Sequence, residues 1–266
     1  MSPASATPGS LTVVIPAYNE GPTIRRVIEA VCAADLRGLR LEIVVVDDGS
    51  SDSTYEQAVV AQQAQPSALV DIRVVRLPRN GGKGGAVREG FRVSSGDLVI
   101  VQDADLEYDP SDMGRMIDEV LKGRADVVMG SRFIGGRPRR VVYLSNALGN
   151  RLMSGLFSIL SGLPLSDIHC CYMLFPGPMI RAAADHLQSA RWGFNPEICS
   201  VLADWRKDLS IVEVGISYYG RSKAEGKQIR MRHGLVAVAE IVKFNVRRPV
   251  PTPAAVLRGV AHRSRS

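Results

Sequence analysis

Apolar positions in the first half of the chain switch repeatedly between two periods. Leu11-Thr-Val-Val-Ile15 is a short β-branched run, and Ile24, Val27, Ile28 and Val31 then recur at the i, i+3, i+4, i+7 spacing of one helix face. Leu41 to Val46 predicts a second strand. Ser51, Asp52 and Ser53 offer N-cap groups for a helix through Tyr55 to Gln65. Ile72 to Leu77 predicts a third strand, Gly81 to Gly85 the opening of a helix, and Leu98 to Gln102 a fourth strand. Met113, Met116, Ile117, Val120 and Leu121 mark another helix face before Val127-Val-Met129. Strand and helix alternating at this interval predict βαβ units and a mainly parallel sheet, an α/β fold. The first strand is not followed by Gly-x-Gly-x-x-Gly, which argues against a dinucleotide-binding hydride-transfer enzyme.

In the second half, Leu144, Leu148, Leu152, Leu156 and Leu160 recur every four residues with Met153 and Phe157 beside them. Asn146, Asn150, Arg151 and Ser154 interrupt this run too often for a membrane span, which takes about 20 mostly apolar positions. Two readings stay open: a helix lying on a bilayer surface with Arg137, Arg139 and Arg140 near the headgroups, or one buried against the domain. Leu235, Val238, Ile241 and Val242 predict a last helix.

Composition fits one large domain: 266 residues, 45% hydrophobic. The expected organisation is a disordered N-terminus over 1–10, a single catalytic domain over 11–247 and a basic tail over 248–266. The start has neither a basic n-region nor an apolar core, so no leader or anchor is expected there, and a cytosolic location follows. The net charge of +6 is local: after Glu240 there is no acid, and Lys243, Arg247, Arg248, Arg258, Arg263 and Arg265 make up the excess. Such a tail suits anionic lipid or plain solvation; nucleic acid is not expected as a partner of the fold. The four cysteines, Cys32, Cys170, Cys171 and Cys199, lack paired zinc spacing and read as reduced thiols.

Candidate chemistry gathers at the predicted strand ends. Asp103, Asp105 and Glu107 alternate beyond the fourth strand; on an extended chain they share one side and suit a hard divalent cation, a solvated turn before Pro110 being the other reading. Pro16-Ala-Tyr-Asn-Glu20 follows the first strand and Asp47-Asp48 the second. Tyr18 offers a flat face for a base, and an Asp accepts from base or hydroxyl groups; an Asx turn explains one of the two aspartates well and both less well. Asn80-Gly-Gly-Lys-Gly-Gly85 falls short of a P-loop and is taken as a flexible backbone wall near the nucleotide.

Taken in order, Val14-Ile-Pro-Ala-Tyr-Asn-Glu20, Val46-Asp-Asp-Gly-Ser50, Asn80-Gly-Gly-Lys-Gly84, Gln102-Asp-Ala-Asp105, Gly130-Ser-Arg-Phe133 and Tyr219-Gly-Arg-Ser-Lys-Ala-Glu-Gly-Lys227 resemble the family-two inverting glycosyltransferases of the dolichyl-phosphate mannose synthase type. The resemblance runs from about Leu11 to Phe244. It implies a GT-A sandwich and transfer of a hexose from a nucleotide-sugar donor to a polyprenyl-phosphate acceptor, with Mg2+ or Mn2+. Mannose from GDP-mannose is favoured by the resemblance alone, with glucose from UDP-glucose close behind. On matching positions it implies nucleoside contacts for Pro16, Tyr18, Glu20, Val46 and Asp48. Asp103, Ala104 and Asp105 would meet ribose and diphosphate, and Asp103, Asp105 and Glu107 the metal. Arg132, Arg221 and Lys227 would bind phosphates. Asp167, with Asp105 and those three cations, completes the implied catalytic set.

The chemistry is consistent with that transfer. A departing nucleoside diphosphate needs its charge neutralised by a cation and by Arg or Lys. A prenyl phosphate is already anionic and needs no strong base, and His169 reads as structural. Three departures stand out: Met173 where relatives often carry Lys or Arg, Asn195 in place of an acid in Trp192-Gly-Phe-Asn-Pro-Glu197, and Gly215 in place of Pro. Without a following membrane segment, contact with a bilayer would be peripheral. Two alternatives remain: a soluble hydroxyl acceptor with Asp167 as base, and a nucleotide-sugar-binding protein without turnover. A glycosidase is the weaker contender, since its paired acids need no divalent ion.

Overall fold

The computed structural model describes residues 7–64, 69–140, 144–191, 193–220 and 231–246, without the side chains of 144–146 and 231–235. Arg221, Lys227, Trp192 and the 248–266 tail lie outside the described residues. The chain alternates as the periodicity predicts: β1 (Ser10–Ala17), α1 (Ile24–Ala33), β2 (Arg40–Asp47), α2 (Thr54–Ala64), β3 (Val70–Arg76), α3 (Lys83–Val93), β4 (Leu98–Val101), α4 (Met113–Leu121) and β5 (Val127–Ser131). There follow α5 (Leu144–Ser161), β6 (Met173–Pro176), α6 (Gly177–Ala184), α7 (Phe194–Trp205), β7 (Ile211–Gly215) and α8 (Met231–Val246).

The seven strands form one sheet in the order β3-β2-β1-β4-β6-β5-β7. Only β6 is antiparallel, inserted between β4 and β5, with Ile100 opposite Leu174 and Val128 opposite Leu174 on its other side. The sequence did not predict this insertion. A buried four-residue run, Met173-Leu-Phe-Pro176, has the same apolar look whichever way it points, and direction is a property of the pairing. The fold also reaches further back than composition suggests. Gly9 donates to Asp97 at 2.8 Å and Ser10 already pairs with Arg40, so 1–10 is not wholly a loose end.

Alternation along β1 builds two cores. Leu11, Val13 and Ile15 face α1, α2 and α4 residues such as Ile28, Ala58 and Met116. Val14 faces the opposite layer, with Val87 and Phe91 of α3, Phe175 of β6, and Ile198 and Leu202 of α7. The connections after β1 and β2 therefore cover one face, and the connection after β3 crosses to the other. That reversal makes the C-terminal ends of β1 and β4 a topological switch point, the place where open α/β sheets bind ligands. All four cysteines are free.

α5 settles the two readings open for it in an unequal way. Phe157 and Ser154 are buried, whereas Leu148, Leu152 and Ile159 lie on the outer side, the last 83% exposed. Among the described residues no helix is long and apolar enough to cross a membrane.

Candidate active site

The nucleoside-side residues cluster at the ends of β1 and β2. Tyr18 is 47% exposed and presents its ring at the surface. Asn19, at φ 54°, turns the chain, and its side-chain oxygen accepts from the Ser51 N–H at 2.9 Å. Pro16 is buried within β1, and Val46 packs against Val44 and Ala86. With its side chain buried, Val46 presents only its backbone at the end of β2. Glu20 accepts from the Thr23 hydroxyl at 2.9 Å, next to the start of α1.

The two aspartates after β2 divide their work. Asp47 accepts from the Ser50 N–H at 3.1 Å, closing the Asx turn, and faces Arg76 at 3.3 Å. Asp48 accepts from the Gly81 and Gly82 N–H groups at 2.8 and 2.7 Å, one on each oxygen. Asp48 thereby fastens the glycine-rich loop to the end of β2.

That loop is not the flexible wall expected of it. Gly82 sits at φ 87°, and a Cβ there would meet the Ala190 carbonyl at 2.5 Å; at Gly84 it would meet the Ser189 carbonyl at 2.4 Å. The glycines are needed for a close backbone approach by the 187–191 segment. Glu197 holds that segment in turn, accepting from the Gln188 and Ser189 N–H groups at 2.8 and 2.7 Å. The clamp places Lys83, first residue of α3, beside the end of β4, where its ammonium pairs with Asp103 and donates to Cys171 Sγ at 2.8 Å. Burial alone lowers the Lys83 pKa, but Asp103 and then Cys171 outweigh it, and the ammonium is held charged. Asn195 Nδ2 completes the group at 3.2 Å from Cys171 Sγ, which gives this substituted position a definite contact.

Beyond β4 the three acids do not alternate along an extended chain. The chain turns through Ala104 and Leu106, the latter at φ 60°, and Asp105 accepts from the Glu107 N–H at 3.0 Å. Ala104 is buried. Glu107 is buried too, its carboxylate accepting from the Tyr218 hydroxyl at 2.6 Å. Among the described residues no group of three or more His, Cys, Asp or Glu side chains forms a ready metal centre. Asp105 still shows how much negative charge is concentrated there: burial first, then Asp103 and Glu107, push its carboxyl up to about 7.

On the far side, Arg132 follows β5 and is held by Asp167. Its backbone N–H, Nε and Nη2 reach the carboxylate at 3.1, 2.7 and 2.8 Å, and its guanidinium lies over the Tyr218 ring at 5.1 Å. Asp167 is fully buried, with both oxygens engaged, so it positions Arg132 and is not a free base. Tyr108 is stacked on Tyr172 at 5.5 Å and tilted against Tyr218 at 5.4 Å. Arg137 reaches Asp112 at 2.9 Å, Arg139 the Arg132 carbonyl and Arg140 the Gly220 carbonyl, both at 3.3 Å. Met173 is fully buried in β6, so it offers no acceptor contact. A Cβ on Gly215 would meet the Ile134 and Gly135 carbonyls at 2.8 Å, which explains glycine there.

Sequence reasoning did not single out Lys83, Cys171 or Tyr218. Lys83 did carry a signal: a lysine in the first turn of a helix sits at the positive end of the helix dipole and calls for an anion nearby.

The acids after β4 and the cations Lys83 and Arg132 thus gather at strand ends around the switch point, where open α/β sheets have their ligand crevice. Residues 12–176 match the model of Glycosyl transferase family 2, and the chain belongs to that family. It is 37% identical over 126 residues to a dolichol-phosphate mannosyltransferase of Pyrococcus furiosus, covering 47% of this chain and 34% of that protein. It is 31% identical over 225 residues to a dolichyl-phosphate beta-glucosyltransferase of Saccharomyces cerevisiae, covering 79% and 66%. The chain thus spans between a third and two thirds of the length of these relatives. The fold is shared with glucosyl-3-phosphoglycerate synthase from Mycobacterium tuberculosis, solved with Mn2+, uridine diphosphate and phosphoglyceric acid. That match has a TM-score of 0.67 at 19% identity, over 90% of this chain and 79% of the other.

Proposed function

We propose that this chain is an inverting glycosyltransferase that moves a hexose from a nucleotide-diphosphate donor to a polyprenyl phosphate. The donor is GDP-mannose or UDP-glucose. The observation that carries this reading is the pair Asp103 and Asp105 at the switch point, where burial and then the neighbouring acids raise the Asp105 carboxyl, with Lys83 paired to Asp103 and Arg132 held after β5. Hard oxygens in a site over-rich in negative charge fit Mg2+ or Mn2+. An incomplete protein ligand set also suits an ion that takes one or two carboxylates plus substrate phosphates. Asp103 and Asp105 would hold the ion, with Glu107 beside them; its chemistry when bound is to offset the charge of the departing diphosphate.

The chain's own residues do the rest. Tyr18, Pro16, Glu20, Asp48 and the Val46 and Ala104 backbones bind the nucleoside end. Arg132, fixed in plane by Asp167, receives phosphate, with Arg221 and Lys227 in the same role. The Asp167 carboxylate is buried with both oxygens held by Arg132, which weighs against its serving as a base for a soluble hydroxyl acceptor. The outward apolar row on α5 (Leu148, Leu152, Ile159), with Arg151 among it, supports peripheral contact with the membrane that holds the lipid acceptor.

The test is incorporation of labelled sugar from GDP-mannose and, separately, UDP-glucose into a polyprenyl phosphate. Product from one donor, lost on chelation and restored by Mn2+ or Mg2+, is the expected result. Transfer that survives thorough chelation would overturn the metal assignment.

A further inference from the structure

Lys83 is anchored more tightly than its side chain. The neighbouring Gly81 and Gly82 N–H groups both donate to Asp48, and Gly82 and Gly84 lie against the Ala190 and Ser189 carbonyls, so the backbone is held from two sides. The ammonium, by contrast, reaches its partners on a flexible four-carbon stem with ordinary rotamer freedom. It pairs with Asp103, the residue assigned above to a divalent ion, and an ammonium and a divalent ion compete for that carboxylate. The position is also one where a lysine needs an anion. It opens α3, whose first turn holds no acid, so Asp103 supplies the opposite charge from outside the helix. An incoming diphosphate would meet the same need from the same side, and it brings more charge than one carboxylate.

We infer that Lys83 is a built-in counter-ion: it holds Asp103 in the free protein and releases it to the metal when a nucleoside diphosphate draws the ammonium away. Metal uptake then depends on the diphosphate, and a metal ion without donor binds poorly. This rests on the reading of Asp103 as a metal ligand and goes beyond it to the order in which the site fills. Cys171 and Asn195 contribute a neutral side to the pocket, where the ammonium keeps a contact after leaving Asp103.

The experiment is a titration of the full chain with Mn2+, free ion being read by electron paramagnetic resonance, alone and with UDP or GDP. It is run on the wild type, Lys83→Met and Lys83→Arg, with circular dichroism to confirm folding. The wild type is expected to bind Mn2+ at least about tenfold tighter with the matching diphosphate than without it. Lys83→Met should bind Mn2+ alone about tenfold tighter than the wild type, with a smaller gain from diphosphate, whereas Lys83→Arg keeps the wild-type dependence. If the wild type takes up Mn2+ with diphosphate but Lys83→Met binds the lone ion no better, the counter-ion role is wrong and the metal assignment stands. If neither UDP nor GDP recruits Mn2+ to the wild type, the metal assignment itself falls, and this inference with it.

Discussion

Two ion pairs flank the crevice, and they are built differently. Lys83 and Asp103 meet with side chains 36% and 16% exposed, through one ammonium on a long stem. Arg132 and Asp167 meet at 13% and 0%, through a flat fork whose Nε and Nη2 each take one carboxylate oxygen. A partly solvated single-point pair is easily exchanged for another partner. A buried two-point pair is fixed, because separating it leaves an uncompensated charge inside the protein. One side of the site thus presents an ammonium that reaches solvent, and the other a guanidinium fixed on a buried carboxylate.

The sharpest way to break this comparison is to remove the carboxylate on each side. Asp167→Ala should cost about 3–5 kcal/mol of stability, since Arg132 is left buried without its partner. Asp103→Ala should cost less than that, because the Lys83 side chain stays partly in solvent and keeps its contact with Cys171. Urea denaturation of both variants checks this, and near-equal losses would erase the distinction. Activity should respond the other way round at the exchangeable side. Asp105→Ala is expected to lower turnover about 10²–10³-fold with little change in the unfolding midpoint, measured by sugar transfer at saturating metal.

His169 gives a pH-dependent test of how dry the fixed side is. Burial lowers its pKa to about 4, against the pull of Asp167 and with help from Arg132, and among the described residues neither ring nitrogen has a hydrogen-bond partner. The folded value lies below the unfolded value of about 6.5. The unfolded chain therefore binds the proton first as pH falls, and stability is lost between pH 6.5 and 4. At pH 5 that loss is about 2 kcal/mol, and His169→Phe should remove it while matching or exceeding the wild type at pH 7.5. Parallel urea midpoints for both proteins at the two pH values would contradict a dry pocket. The smallest effect is expected on the outer face of α5. Leu152→Glu should change stability by less than about 0.5 kcal/mol, yet weaken sedimentation with anionic vesicles. Unchanged vesicle binding would leave the exposed row without a membrane role.

Much of the donor side was legible in the sequence because it is built locally. β1, β2 and β4 are built on contiguous runs rich in β-branched residues, and each is followed directly by a polar turn, as at Tyr18, Asp48 and Asp103. Where the reading went wrong, the cause was a partner far along the chain. Gly82 and Gly84 looked flexible because nothing nearby shows that Ser189 and Ala190 will press on them. Nothing near Glu107 in sequence shows that the Tyr218 hydroxyl, 111 residues away, will donate to its carboxylate. Asp167 looked available as a base until Arg132 was placed against both of its oxygens.

By itself, the order of apolar and polar residues determined the α/β class, the helix faces, and the acids and cations delivered to strand ends, because periodicity and turn chemistry act over a few neighbouring residues. The tertiary structure alone decided which carboxylate is buried in a two-point pair and which meets a partly exposed ammonium. It also decided that β6 runs backwards through an otherwise parallel sheet and that a glycine loop is a clamp. Those outcomes depend on distances between groups that the chain brings together only when the sheet closes, and on the burial that comes with closure.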